Sequence, residues 1–478
     1  MSSNPLYDDL KTRKRQKLAV YVVAVLISLG VGYVVASGGI KIGFVLILLP
    51  LMVVFLIVAF NHPSILMHMV VAMGFLITLL SRYVPGNVPF GLSTDGFLVL
   101  IILVLLFHQR EKFDSKFLTN GVSMVLLIWL GFSILEMFNP LARSKVAWFY
   151  ANRGLSFYPA LMAILSMFVY RDKKFLKAFL IIWAGFSVFG TLWGMKQLYF
   201  GVSAVEQQWL NAGAASTHIL FGKLRVFSYY SDAAQFGASQ AHTALVFGIL
   251  GLYSGKSKLR YAFLGVAVLS LYGMLISGTR GAMGVLALGG FTYFVLTKNF
   301  RVVLAGVIIA GGLFVFLKYT TIMQSNYQVN RMRTALSSGD PSMMVRKRRE
   351  EVLAHYLSDK PIGGGIGSAG YWGKRFSPGT FLAEIGTDGH YTRIWMETGI
   401  VGLWLYLGML GYIAFYLGRR LWFMPDSLLR QSLVAIYSGY LGVCLASYTN
   451  GLLTQIPTGV LVFVGLALVY LGTEGELD

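Results

Sequence analysis

Long apolar runs alternate with short polar segments along almost the whole chain. A membrane-spanning helix needs about 20 mostly apolar residues, because the hydrocarbon core is about 30 Å thick and a helix rises about 1.5 Å per residue. The pattern predicts spans at residues 18–36, 42–60, 64–80, 96–108, 118–137, 156–170, 178–200, 230–253, 261–277, 282–297, 302–318, 392–417, 432–449 and 457–472. The first two are barely separated and the fourth is short. We therefore predict an all-α polytopic integral membrane protein with about 12–14 transmembrane helices.

Composition supports this class. Of 478 residues, 56% are hydrophobic and only 13% are charged, whereas soluble domains keep roughly a quarter of their residues charged. The net charge of +20 does not indicate a nucleic-acid partner, because that requires basic residues gathered on a soluble face. The single cysteine, Cys444, excludes an intrachain disulfide.

Basic residues in the short loops predict the orientation, since cytoplasmic loops carry the excess of Lys and Arg. The basic N-terminus could belong to a signal peptide, but the apolar run from Leu18 exceeds a usual signal core, which favours an uncleaved first helix. Both termini are predicted to be cytoplasmic. We predict one integral membrane domain: eleven spans over 1–317, a long periplasmic loop at 318–391 and three spans over 392–478.

The long loop contains two features of interest. Residues 346–357 place apolar positions at helical spacing beneath a basic face that includes Arg346, which predicts an amphipathic helix along the membrane surface. This helix either grips lipid headgroups or helps to recruit a phosphorylated lipid. The glycine-rich run at 361–367 is either a tight turn, the interpretation we favour, or a phosphate-binding loop.

Ionisable residues crowd the start of the twelfth predicted span, where Asp388, His390, Arg393 and Glu397 follow one another. Such groups at membrane depth are costly and indicate a functional site. The i, i+4 spacing of Arg393 and Glu397 also allows a structural ion pair, which we favour for Glu397.

Three more arginines lie at predicted external span ends. Arg225 opens the segment Arg-Val-Phe-Ser-Tyr-Tyr-Ser-Asp, and Arg280 lies in Ser-Gly-Thr-Arg-Gly between two spans. Arg153 is a weaker member of this set. Each could bind an anion, and each could instead reach the headgroup layer as an interfacial arginine.

The order of these motifs resembles the O-antigen ligase and polymerase superfamily of bacterial membrane glycosyltransferases. The resemblance rests on the Arg225 motif, Ser-Gly-Thr-Arg-Gly, Arg346 fifteen residues before Pro361 and the sequence Glu-Thr-Gly-Ile-Val-Gly at 397–402. It covers roughly residues 215–420. It implies a GT-C-like fold and a periplasmic active site that uses an undecaprenyl-diphosphate-linked glycan, with no nucleotide sugar, cofactor or metal.

The resemblance also implies residue roles. Arg225 and Arg280 would hold the diphosphate, with Arg346, Arg393 and Arg153 as further substrate-binding candidates. The ligases have His-Asn nine and eight residues before the glutamate, where this chain has Asp388 and Gly389. Asp388 looks more like the polymerase branch, and either Asp388 or His390 could be the general base.

Several functions stay open at this stage. A polymerase, a ligase to lipid A-core in lipopolysaccharide synthesis and a protein O-oligosaccharyltransferase would share this chemistry and differ in their glycan, lipid or protein acceptor. A chain-length regulator is a further partner for a polymerase, and membrane lipids surround all of them. The main alternative outside enzymes is a transporter or flippase for lipid-linked sugars, but we find neither repeated halves nor strong midplane charges. A non-catalytic scaffold would not use the arginines.

Overall fold

The computed structural model describes residues 50, 52–86, 88–220, 222–255, 258–298, 300–322, 330, 331, 333, 341–386 and 389–477. The chain divides into two compact units, Met1–Pro63 and Ser64–Asp478. In the first unit, α1 covers Met52–Asn61. The predicted span at 18–36 and most of the span at 42–60 lie outside the described residues, as does Asp388.

Helices account for nearly all of the regular structure in the described residues. Those of six residues or more after α1 are α2 Pro63–Tyr83, α3 Gly91–Leu103, α4 Gly121–Leu135, α5 Lys145–Asn152, α6 Tyr158–Val169, α7 Lys173–Tyr199, α8 Ala204–Trp209, α9 Ala233–Tyr253, α10 Lys258–Ser277, α11 Met283–Thr297, α12 Phe300–Tyr319, α13 Pro341–Tyr356, α14 Gly370–Phe376, α15 His390–Phe423, α16 Leu428–Ala446 and α17 Thr458–Glu474.

Shorter elements connect these helices. They are the single helical turns Lys116–Thr119, Ala215–His218 and Phe381–Glu384, the 3₁₀ turns Arg110–Lys112, Glu136–Phe138, Arg280–Ala282 and Leu452–Thr454, and the π turns Val104–His108, Arg153–Phe157 and Leu210–Ala214. Two short antiparallel strands, β1 Ile219–Leu220 and β2 Lys223–Leu224, form a hairpin with Ile219 opposite Leu224.

The membrane class is confirmed. Within the described ranges, eight helices are long and apolar enough to cross a bilayer, and α1 and α17 are apolar but shorter. Every predicted span from 64–80 onward coincides with a helix. The protein is an all-α polytopic membrane protein, while its full span count and its organisation as one domain stay predictions.

Polar residues fix where several of these helices begin. The side chains of Asn120, Asp172, Asp232 and Ser427 accept hydrogen bonds from backbone N–H groups in the first turns of α4, α7, α9 and α16. These caps satisfy amides that have no partner inside the helix. Each apolar run therefore starts at a defined residue.

The interior of the second unit contains α9, α16 and α17, which are buried on nearly all sides. Small residues let these helices approach closely, as membrane helices require. A Cβ atom at Gly289 of α11 would lie 2.8 Å from the carbonyl oxygen of Ser438 in α16. Buried polar side chains add hydrogen bonds, such as Trp183 Nε1 donating to Thr243 Oγ1 at 2.8 Å. The outer helices expose apolar residues, including Val268 at 68%.

Candidate active site

Two motifs that are distant in sequence meet at Arg225. Its guanidinium donates hydrogen bonds to the carbonyl oxygen of Thr217 (3.2 Å) and to Thr279 Oγ1 (3.4 Å). The Thr279 hydroxyl in turn donates to the carbonyl oxygen of Ala233, the first residue of α9, at 2.8 Å. Thr279 belongs to the 277–281 motif and precedes Arg280, so the structure brings the two predicted diphosphate-binding segments into contact.

Arg82, at the end of α2, holds the segment that follows Arg225. Its guanidinium donates to the carbonyl oxygens of Ser228 (3.2 Å) and Tyr230 (2.9 Å). It also lies 4.3 Å from the ring centroid of Trp209 and 4.9 Å from that of Phe227, within cation–π range. Sequence reasoning missed Arg82, whose only signal was its position at the end of a predicted span.

Glu206 in α8 helps to position the same segment through hydrogen bonds. Its carboxylate accepts hydrogen bonds from the Ser203 backbone N–H (2.6 Å), Trp193 Nε1 (2.8 Å) and Gln197 Nε2 (2.7 Å). Burial opposes ionisation of Glu206, but these bonds outweigh it and lower the pKa to about 2. Gln197 also bonds both backbone groups of Ser228, at 2.7 and 2.9 Å. The segment after Arg225 is therefore rigidly positioned.

Burial, and then the positive charges of Arg331 and Arg346, lower the pKa of Arg280. This residue begins a 3₁₀ turn that leads into α11. The Arg331 side chain also packs over Gly278, where a Cβ atom would lie 3.4 Å from its Cδ. Gathering like charges costs free energy, and a multiply charged anion bound among them would recover it. Sequence reasoning did not single out Arg331.

The loop at 447–450 joins the Arg280 motif to the start of α15. A side chain at Gly281 would collide with the Thr449 hydroxyl, and the backbone of the same loop packs against Gly389. The carbonyl oxygen of the first loop residue accepts a hydrogen bond from the backbone N–H of His390 at 3.0 Å. The sequence predicts residues 447–449 as the end of the span 432–449, whereas the helix α16 ends at Ala446. We call the end of the second unit that gathers these contacts the motif end.

Arg346 reaches the motif end from α13. The predicted amphipathic segment is helical, and the charge of Arg346 acts on Tyr448. A helix lying on the membrane surface would turn its apolar side to the membrane, and the structure differs from this expectation. Leu353 is buried and clusters with Met396 of α15, so part of the apolar stripe packs against the protein. This packing fixes Arg346 relative to α15.

The glycine-rich run at 361–367 adopts turns that pack on α15. Gly363 has a φ of 69°, and a side chain there would collide with the backbone of Gly399, where α15 kinks. The backbone N–H of Gly364 donates to the carbonyl oxygen of Met396 at 3.0 Å. These contacts support the interpretation of the run as a tight turn rather than a phosphate-binding loop, because the backbone N–H of Gly364 bonds to α15.

Of the two candidates for the general base, only His390 lies among the described residues. His390 is the first residue of α15 and only 1% exposed. Its Nε2 lies 2.9 Å from the hydroxyl oxygen of Tyr406, so the ring points into the helix bundle. Asp388 lies just outside the described residues, next to Gly389, which packs on the 447–450 loop.

Two predicted substrate-binding arginines are paired with carboxylates. Arg393 Nε lies 3.0 Å from Glu397 Oε1, and Glu397 is 1% exposed, in accord with the structural ion pair favoured for Glu397. The guanidinium of Arg153 forms an ion pair with Asp95 and donates to the Tyr158 hydroxyl at 2.6 Å. The positive charges of Arg393 and Arg153 are thus balanced locally.

Among the residues described, no group of three or more His, Cys, Asp or Glu side chains lies close enough together to hold a metal ion. The groups that converge are guanidinium ions, whose planar N–H donors match phosphate oxygens. The arrangement is therefore suited to binding a phosphate-bearing substrate.

Comparison with known families agrees with the motifs. The model of the O-antigen ligase family matches residues 265–407, which include Arg280, Arg346 and His390. This match confirms the resemblance to the O-antigen ligase and polymerase superfamily. A search of curated proteins finds no match.

Proposed function

We propose that this protein is a glycosyltransferase that uses an undecaprenyl-diphosphate-linked glycan as donor and a sugar hydroxyl as acceptor. In our proposal it is a multi-pass protein of the bacterial inner membrane, with both termini in the cytoplasm and the motif end in the periplasm. The observation that carries the proposal is the convergence of Arg225, Arg280 and Arg346 at the end where α15 begins. We favour polymerisation over ligation because Asp388 stands where the ligases have histidine.

The arginines would act on the leaving group. When the acceptor hydroxyl attacks the anomeric carbon, the glycosidic bond to the lipid diphosphate breaks and negative charge develops on the departing oxygen. Fixed cationic donors stabilise that charge in a water-poor site, and removing one well-placed donor costs roughly 100-fold to 1,000-fold in rate. The rigid segment after Arg225 keeps its donor positioned before the reaction.

The acceptor hydroxyl must lose a proton, and we assign to Asp388 the role of the base that accepts it. His390 is buried against Tyr406, which supports a role in positioning the start of α15. Gly389, the residue after Asp388 in the sequence, packs on the 447–450 loop, which also contacts Gly281 of the Arg280 motif. As the family resemblance implies, neither a metal ion nor a nucleotide sugar takes part.

The test is transfer by purified protein in detergent with lipid-diphosphate-linked glycan as donor. We expect Arg225→Ala and Arg280→Ala each to lower the rate at least 100-fold while the protein still inserts and purifies as a single species. Arg110→Ala is the matched control, because Arg110 is exposed and lies on the predicted cytoplasmic side. Normal product from both motif variants would refute the arginine assignment.

The same assay tests the base. Asp388→Asn is expected to lower the rate about 100-fold to 10,000-fold, whereas His390→Gln should reduce it less. If Asp388→Asn retains full activity, Asp388 is not the base. Offering sugar, lipid A-core and protein acceptors in separate reactions then distinguishes a polymerase from a ligase or an oligosaccharyltransferase. Movement of intact lipid-linked glycan across vesicles without transfer would favour the transporter alternative.

A further inference from the structure

A cavity of about 610 Å³ opens between the C-terminal ends of α15 and α17, far along α15 from the motif end. Its walls include Phe415, Arg419 and Arg420 from α15, and Thr473 from α17. Its volume lies in the range of small-molecule sites. Nothing in the transfer chemistry above uses it.

The depth of the cavity follows from the length of α15. The kink at Gly399 packs against the glycine-rich turn near the motif end. From Gly399 to Arg419 the helix advances 20 residues, or about 30 Å, which is the thickness of the hydrocarbon core. If the kink lies at one boundary of the core, the cavity lies at the headgroup layer of the opposite leaflet.

The two arginines in the cavity wall differ. Arg420 forms an ion pair with Glu474 and lies 4.6 Å from the ring centroid of Tyr416. Arg419 is exposed and takes part in no ion pair within the described part of the chain. One wall of the cavity thus offers a guanidinium whose charge is not neutralised by a neighbouring carboxylate.

The rest of the lining is apolar and turned outward. Phe415 is 71% exposed and lies one turn of α15 on the core side of Arg419, whereas Phe423, which is 75% exposed, lies one turn beyond Arg419. Rings at this level can pack against acyl chains while a nearby cation meets a lipid phosphate. A ligand that fits must therefore join negative charge to a long apolar part.

We propose that this cavity binds the headgroup of an anionic phospholipid, with its phosphate on Arg419 and its acyl chains along Phe415. Charge complementarity favours an anionic over a zwitterionic lipid, because the positive charge of Arg419 attracts a headgroup that carries a net negative charge. The ligand would link the cytoplasmic ends of α15 and α17. The site is separate from the proposed transfer chemistry, so it can be tested without an activity assay.

The experiment measures lipid binding to the full-length protein in a neutral detergent by native mass spectrometry. Phosphatidylglycerol and phosphatidylcholine with the same acyl chains are compared. We expect phosphatidylglycerol to bind more tightly, and Arg419→Gln to weaken it about fivefold, the effect of losing one cation near an anionic lipid. Thr473→Glu, which places a negative charge in the wall, should weaken it as well.

The control is Arg110→Gln, which removes an exposed arginine predicted to lie on the same side but outside the cavity. It should bind phosphatidylglycerol like the unchanged protein. Equal binding of the two lipids, or unchanged phosphatidylglycerol binding by both cavity variants, would overturn the proposal. So would full competition by inorganic phosphate at the same concentration as the lipid, because the cavity would then recognise phosphate without a lipid.

Discussion

The two ends of α15 use positive charge in different ways. At the motif end, Arg280 lies within the influence of Arg331 and Arg346. At the opposite end, three basic side chains pair with carboxylates, as Arg420–Glu474, Lys116–Glu476 and Arg430–Asp426, whereas Arg419 forms no ion pair among the described residues.

The contrast separates two reasons for placing arginine near a membrane boundary. A paired arginine ties segments together and needs no ligand. Arginines that act on one another repel, and an anionic substrate bound among them would reduce that repulsion. The comparison also applies within the motif end, where Arg153 and Arg393 are paired with Asp95 and Glu397. A sequence motif alone does not distinguish the two kinds.

The largest effect on stability is expected where a paired arginine is removed. Arg393→Ala removes the cation that pairs with the buried Glu397 carboxylate, and we expect it to destabilise the fold by about 3–5 kcal/mol. The double variant Arg393→Met with Glu397→Gln should recover most of this loss. Thermal unfolding in detergent provides the measurement. If Arg393→Ala leaves the melting temperature unchanged and lowers only transfer, Arg393 belongs with the gathered arginines.

A gathered arginine should behave in the opposite way. Arg331→Ala is expected to lower the transfer rate about tenfold to 100-fold, the cost of one charge-assisted hydrogen bond. Its main effect should be on transfer rather than on stability, because we expect Arg331 to act on the anionic substrate. Rate and melting temperature are measured on the same preparation. A lower melting temperature with normal turnover would place Arg331 among the structural arginines.

A smaller, pH-dependent effect is expected at Glu206, beneath the Arg225 segment. Because its pKa is lowered to about 2, its ionised form contributes stability above about pH 4.5, and this contribution is lost as the pH falls toward 2. Glu206→Gln cannot accept the Ser203 N–H at its amide nitrogen and should cost about 1.5 kcal/mol at neutral pH. Melting temperatures of the two proteins should converge on acidification. A difference that does not depend on pH would contradict the assigned ionisation.

Most of the fold was predictable because each span is a local pattern. The run at 178–200 predicts a helix, and Lys173–Tyr199 forms one that Asp172 caps. The long helix α15 was predicted as 392–417 and extends over His390–Phe423, since a span prediction detects only the apolar part. The amphipathic segment at 346–357 was predicted to be helical, but periodicity could not show that Leu353 packs on Met396.

The site was predictable only in part. Arg225, Arg280 and Arg346 stood in motifs, and the structure brings their segments together, while their roles stay predictions. Arg82 and Arg331 stand in no motif. Their contacts are with residues from distant parts of the chain, so no local pattern indicated them. The pairing of Arg153 with Asp95, 58 residues earlier, could not be predicted for the same reason.

By itself, the sequence determined the membrane class, the positions of the described spans and the resemblance to the O-antigen ligase family. These properties follow from apolar run length and short motifs, which depend on residues close together in the chain. Only the tertiary structure decided which arginines gather and which are paired, and that the 447–450 loop joins Gly281 to Gly389. The physical reason is that electrostatic and packing contacts depend on distance in space, and helix packing sets that distance.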